Sequence, residues 1–198
     1  MISTKDYAIN TLEIAEINFL MSFKGIRQEQ LTKQVTPKTN PISWIVGHLA
    51  SHMDAYLAFF TNERLLTSDQ RKYFRFGASK QIIRGGFPFS FTEIIEKYLK
   101  ISENYFHRLR ELSEVQFSQS PIGGNETYFQ MLQRISLHFF GHAGQIVLIR
   151  RILSTELQAR RKDDEPLWSF VGGIHLQQRE KFKEQWLEWW YQNRTNFD

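Results

Sequence analysis

A chain of 198 residues with 41% hydrophobic and 23% charged residues has the size and balance of one globular domain, which excludes a disordered or collagen-like polymer. The absence of cysteine excludes disulfides, thiolate zinc fingers, iron–sulfur clusters and cysteine nucleophiles, so any metal has to sit on nitrogen and oxygen. The formal charge of +4 comes from 25 basic and 21 acidic residues mixed along the chain, and the basic run Arg160-Arg161-Lys162 is followed by Asp163-Asp164-Glu165, so nucleic acid is not an expected partner.

The first block, about Lys5 to Ile26, repeats Ile9, Leu12, Phe19, Leu20, Phe23 and Ile26 at helical steps and ends softly at Gly25. Its acidic residues argue against a signal or transit peptide, no apolar run reaches membrane-spanning length, and the expectation is a cytoplasmic protein without membrane contact. The second helix opens at Asn40-Pro41, read as a cap and a first-turn proline, and stops near Thr61-Asn62. The third begins at Ser90-Phe91-Thr92-Glu93, a capping-box pattern, and runs to about Leu112. The fourth follows Pro121-Ile122-Gly123-Gly124-Asn125 and reaches about Leu153, with Tyr128, Met131, Ile135, His138, His142, Gln145, Ile149 and Ile152 forming its expected seam. A tryptophan-rich helix from about His175 to Gln192 follows the Gly172-Gly173 break. Strand-like alternation is not visible over a useful length, so the expected fold is an all-α four-helix bundle with an extra C-terminal helix. It forms one domain over 1–198, with a bundle core at about 5–153 and an extension at about 154–198. Two long connections, about 62–89 and 155–174, exceed what a bundle needs. The first carries Tyr73, Phe74, Phe76, Phe87 and Phe89 and is expected to fold back over the bundle as a lid or substrate-facing surface.

Four of the six histidines form two His-x-x-x-His pairs, His48/His52 and His138/His142, each on one helical face. Burying His138, His142 and Gln145 in one seam without partners would cost about 1–3 kcal/mol apiece, so something should satisfy them. Three neutral imidazoles from two facing helices form a ligand set suited to zinc, nickel, iron or cobalt; core histidines bonded to carbonyls are the competing reading. His52 either packs behind the ligating rings or serves as a fourth ligand, and His107 and His175 read as surface or capping residues. Neither histidine segment carries the glutamate of a zinc peptidase, and helix four lacks the carboxylates of a di-iron bundle. Gly141 and Gly144, each costing about 1 kcal/mol in a helix, point to close approach by another helix or a partner subunit.

The segment Asn40-Pro41-Ile42-Ser43-Trp44-Ile45-Val46-Gly47-His48-Leu49-Ala50, together with His138-Phe-Phe-Gly-His142-Ala-Gly144-Gln145-Ile146, resembles the DinB-like superfamily, which also contains the YfiT-like bacillithiol S-transferases and mycothiol-dependent isomerases. The resemblance spans about 5–152. It implies an up-down-down-up bundle, commonly homodimeric, with a divalent transition metal held by His48, His138 and His142. Zinc or nickel is the first expectation, with iron, cobalt and manganese as alternatives. The implied activity is metal-dependent activation of a low-molecular-weight thiol (S-transferase) or of water (hydrolase) toward a small-molecule substrate, with Gln145 orienting a ligand or a ring. A non-catalytic metal- or small-ligand-binding stress protein is the alternative. His52 departs from the family pattern, where a polar or acidic residue is more common.

Overall fold

The computed structural model describes residues 2–77, 86–157 and 173–197. In chain order the helices are α1 (Thr4–Phe23), α2 (Gln28–Leu31), α3 (Ile42–Thr61), α4 (Ser68–Phe74), α5 (Phe91–Glu111), α6 (Glu114–Phe117), α7 (Tyr128–Leu157) and α8 (Arg179–Asn193). Short 3-10 turns at Leu176–Gln178 and Arg194–Phe197 flank α8, and no strand occurs among the described residues. No helix of the described residues is long and apolar enough to cross a membrane.

The four long helices form the bundle, and their side-chain pairings give its directions. Lys5 Nζ near the start of α1 donates to the Leu112 carbonyl just past α5 (2.7 Å), while Tyr98 and Ser102, earlier in α5, donate to Glu16 further along α1. Those two helices are therefore antiparallel. Phe19 meets Phe139, and Arg150 Nη1 donates to the Ser22 carbonyl, so α1 and α7 run together. His48 faces His142 and Phe60 faces Tyr128, so α3 opposes α7. The order is up-down-down-up, as the resemblance implies.

Helix starts follow a local chemistry repeated three times. Thr67/Gln70, Ser113/Gln116 and Thr127/Gln130 each form a reciprocal box in which the glutamine Oε1 accepts the cap residue's N–H at 2.9–3.0 Å and the hydroxyl accepts the glutamine N–H at 3.2 Å. Expected boundaries change at four ends: α7 runs on to Leu157 and α8 opens at Arg179 after a 3-10 turn, and the other two changes have a local cause. Helix α1 stops at Phe23 because Gly25 takes a left-handed φ of 72°, and α3 starts one residue later than read, with Pro41 itself as the extended cap (φ −67°, ψ 158°) in place of Asn40. Ser90 does cap α5 by accepting the Glu93 N–H, while the Glu93 carboxylate takes Gln70 Nε2 and Lys97 Nζ, tying α4 to α5.

The core is aromatic. Phe19 makes edge contacts with Phe23, Tyr98 and Phe139 at ring distances of 5.2–5.8 Å. The C-terminal helix belongs to this core. Trp186 and Trp190 are fully buried, Trp186 meets Phe23 of α1, and Trp190 meets Phe91 of α5. Truncating side chains of that size in a core costs about 3–5 kcal/mol each, so α8 is part of the packing and not an appendage. Arg179 of α8 and Arg110 of α5 converge on Glu13 of α1, which closes the junction electrostatically.

Of the expected seam of α7, Tyr128, Met131, Ile135 and Ile149 are buried, whereas in its middle the buried face passes through Phe139, Ala143 and Ile146, one residue beyond His138, His142 and Gln145. Gln145 and Ile152 are exposed and His138 and His142 half-buried, so three buried polar side chains in a row do not occur. Steps of three and four average 3.5 residues against a helical 3.6, so the line they trace slips about 20° per seven residues across the buried face and passes along its edge at His138 and His142. In the first long connection, Tyr73 and Phe74 are buried and Phe87 and Phe89 pack on them, whereas Phe76 points to solvent. The charged run at 160–165 and Gly172 lie outside the described residues, as do 78–85 within that connection.

Candidate metal centre

His48 and His52 stand one turn apart on α3, and His138 and His142 one turn apart on the facing side of α7. Antiparallel packing of these helices brings the four rings together: His48 lies 5.1 Å from His138 and 5.3 Å from His142, and His52 lies 4.6 Å from both His48 and His138. Among the described residues, one group could hold a metal ion through three side chains. It consists of His48, His138 and His142, each offering a ligand atom, all within 4.8 Å of one another. His52 stands outside that group although its ring touches it.

Two hydrogen bonds orient the donor set. His48 Nδ1–H donates to the Phe74 carbonyl (2.6 Å), and a carbonyl can only accept, so Nε2 carries the free lone pair. His142 Nδ1–H donates to Gln145 Oε1 (2.8 Å), which again leaves Nε2 as the lone pair. His142 Nε2 then faces His138 Nε2 at 2.9 Å. Two lone pairs cannot share that distance; either His138 bears its proton there, or a cation stands between them. The indole of Trp44 stacks on His48 (4.5 Å, 15°), and its Nε1–H donates to the Tyr73 carbonyl (2.9 Å).

All four rings are held neutral. Burial lowers His48 against the opposing pull of the Phe74 hydrogen bond. Burial, then the neighbouring His48 and Arg134, brings His52 down to about 4. Burial, then His142 and His52, brings His138 to about 3, and burial brings His142 to about 4 although Gln145 pulls it upward. Neutral imidazoles are the form that ligates a metal. Arg134, whose charge acts on His52 and His138, is paired with Glu126 and lies 5.6 Å over the Tyr56 ring. The buried carboxylate nearby, Asp54, is consumed by structure: it accepts Arg64 Nε and the Leu65 N–H at 2.8 Å each, which holds the turn into α4.

Three neutral nitrogen donors with no carboxylate among them could hold a divalent metal ion. The residues expected as ligands are the ones brought together, and Gln145 acts on the His142 ring from the exposed side. His107 is exposed and pairs with Glu111, and His175 caps the 3-10 turn before α8, in line with the surface and capping readings. Sequence reasoning missed the Tyr73 and Phe74 carbonyls. Backbone acceptors carry no residue signature, and only the Thr67-x-x-Gln70 box announcing α4 could have pointed to them. No curated protein and no solved structure matches the chain. A family model described as the DinB superfamily matches residues 11–146, and by that match the chain belongs to the DinB superfamily.

Proposed function

We propose that the protein is a metal-dependent enzyme that binds a divalent transition metal through His48, His138 and His142 and activates a low-molecular-weight thiol for S-transfer or water for hydrolysis. The observation that carries the reading is the convergence of three neutral imidazoles with their Nδ1–H groups on His48 and His142 already committed to acceptors. A divalent ion on three neutral ligands keeps its full charge and so favours deprotonation of a thiol or water brought beside it. The chain does the positioning. Phe74 and Gln145 hold two rings in the ligating tautomer, the core packed around α3 and α7 shields the buried side, and His52 offers a neutral imidazole along the edge. With no cysteine in the chain, the thiol arrives as a substrate. Protein purified without a histidine tag is expected to carry or take up about one equivalent of zinc or nickel per chain, and to conjugate a model electrophile with bacterial thiols until a chelator is added. Less than about a tenth of an equivalent, with none gained on titration, overturns the site; a loaded protein inert toward thiols and esters leaves a binding protein without turnover.

We further propose that two copies meet along α7. Its outward face carries Leu137 (69% exposed) and Leu148 (59%), and between them Gly141 and Gly144, where an added Cβ would meet nothing within 4 Å. The close approach expected at these glycines is therefore not made by any of the described residues. The pattern Leu137-x3-Gly141-x2-Gly144-x3-Leu148 is symmetric about its midpoint, so a two-fold axis there sets each leucine against its counterpart across a glycine floor, as an isologous contact requires. Sedimentation at micromolar concentration is expected to show a dimer, and Leu148→Arg a monomer of unchanged helicity. A monomeric wild type overturns the interface.

A further inference from the structure

Helix α4 touches the histidine cluster through main-chain atoms at its C-terminal end. The last carbonyls of a helix have no intrahelical partner, and here two successive ones, Tyr73 and Phe74, accept buried N–H groups from Trp44 and His48 on the same face of α3. Between those two residues of α3 sits Gly47, whose backbone lies against the Phe74 ring: a methyl group added at Gly47 would overlap that ring's edge atoms. Phe74 is fully buried and is held from behind by Phe87 and Phe89, so it cannot swing outward freely. The close seat of the phenyl ring on Gly47 thus sets where the Phe74 carbonyl stands relative to His48 Nδ1.

We propose that α4 is a clamp that sets the metal affinity of His48, with Gly47, Phe74 and Trp44 as its positioning residues. The phenyl ring seated on Gly47 holds the Phe74 carbonyl, the carbonyl holds His48 in the Nδ1–H tautomer, and the Trp44 indole, anchored to Tyr73, keeps the imidazole plane. The proposal rests on the metal-binding reading above. Residues that orient a ligating histidine in this way change metal affinity by about 10–100-fold when altered. The turn before α4 is held by Asp54, which accepts the Leu65 N–H, and Gln70 of α4 donates to Glu93, so a variant at Gly47 perturbs the clamp without releasing the helix.

The test is zinc titration of tag-free protein, with wild type, Gly47→Ala, Phe74→Ala and the double variant compared, and Trp44→Phe as a milder change that keeps the stack and deletes the donor. Gly47→Ala is expected to weaken zinc by more than about tenfold and Phe74→Ala by several-fold, and the double variant is expected to be no worse than Phe74→Ala alone, because the clash has gone with the ring. Trp44→Phe is expected to weaken zinc several-fold. In metal-free protein the slowly exchanging His48 Nδ1–H proton, read by nuclear magnetic resonance, is expected in wild type and lost in Gly47→Ala; a merely structural role would not move it. Zinc affinity of Gly47→Ala and Trp44→Phe within about twofold of wild type overturns the clamp and leaves the metal site standing. A wild type that takes up no zinc overturns the metal reading, and the clamp with it.

Discussion

Replacing His138 with leucine is expected to abolish metal binding and, in the same protein stripped of metal, to raise the melting temperature. His138 offers Nε2 to a point already faced by His142 Nε2 at 2.9 Å, and its ring is held neutral by burial and by three neighbouring histidines. Losing one of three ligands should cost more than about 100-fold in zinc affinity, since even changes behind a ligand cost about 10–100-fold. Without metal the same contact is a single N–H···N bond from His138 to the His142 Nε2 lone pair, and its net worth of about 0.5–1.5 kcal/mol falls short of the roughly 1.5–3 kcal/mol that burying a leucine side chain contributes. Leucine has nearly the volume of histidine and sits beside the apolar seam residues Ile135 and Phe139. A gain of about 1 kcal/mol, or about 2–4 °C for a chain of this size, is the expected result by calorimetry in excess chelator. A loss of similar size would instead make His138 an ordinary core histidine.

Much of this centre was legible before the fold was known, because two kinds of signal coincide in it. Spacing of four residues places His48 with His52 and His138 with His142 on single helical faces, and the antiparallel order of the two helices then brings the pairs together. What spacing could not set was depth. Gln145 reads as a seam residue when steps of three and four are continued from Tyr128, yet it is exposed, because the true seam passes through Phe139, Ala143 and Ile146. Its role survives through a different route, the hydrogen bond to His142. Helix caps were legible in principle: the boxes at Thr67, Ser113 and Thr127 share the Ser/Thr-x-x-Gln pattern, and reading only Glu at the fourth position finds none of them. The clamp from α4 was not legible at all, because its acceptors are carbonyls whose positions depend on how a phenyl ring seats on a glycine 27 residues earlier.

Acidification should unfold the metal-free protein over a window well above that of its carboxylates. In the unfolded chain histidine titrates near 6.5, whereas in the fold His52 and His142 titrate at about 4 and His138 at about 3. As pH falls below 6.5 the unfolded state takes up protons that the folded state refuses, so stability falls with pH. The loss levels off below about 4 to 3, where the folded rings accept protons too. At pH 5 a fully shifted group of this kind would account for about 2 kcal/mol, and rings that are half-buried and partly screened by solvent contribute a fraction of that each. Urea midpoints measured from pH 7.5 to 4.5 should fall steadily. His52→Gln should flatten the slope by one group's share without removing any of the three converging nitrogens. Bound zinc competes with these same protons, so the loaded protein should hold its midpoint to lower pH and then lose it more steeply as metal leaves. A midpoint that stays constant between pH 7 and 5 in chelator would show that the rings charge freely. They would then not be the neutral donors on which the metal site depends.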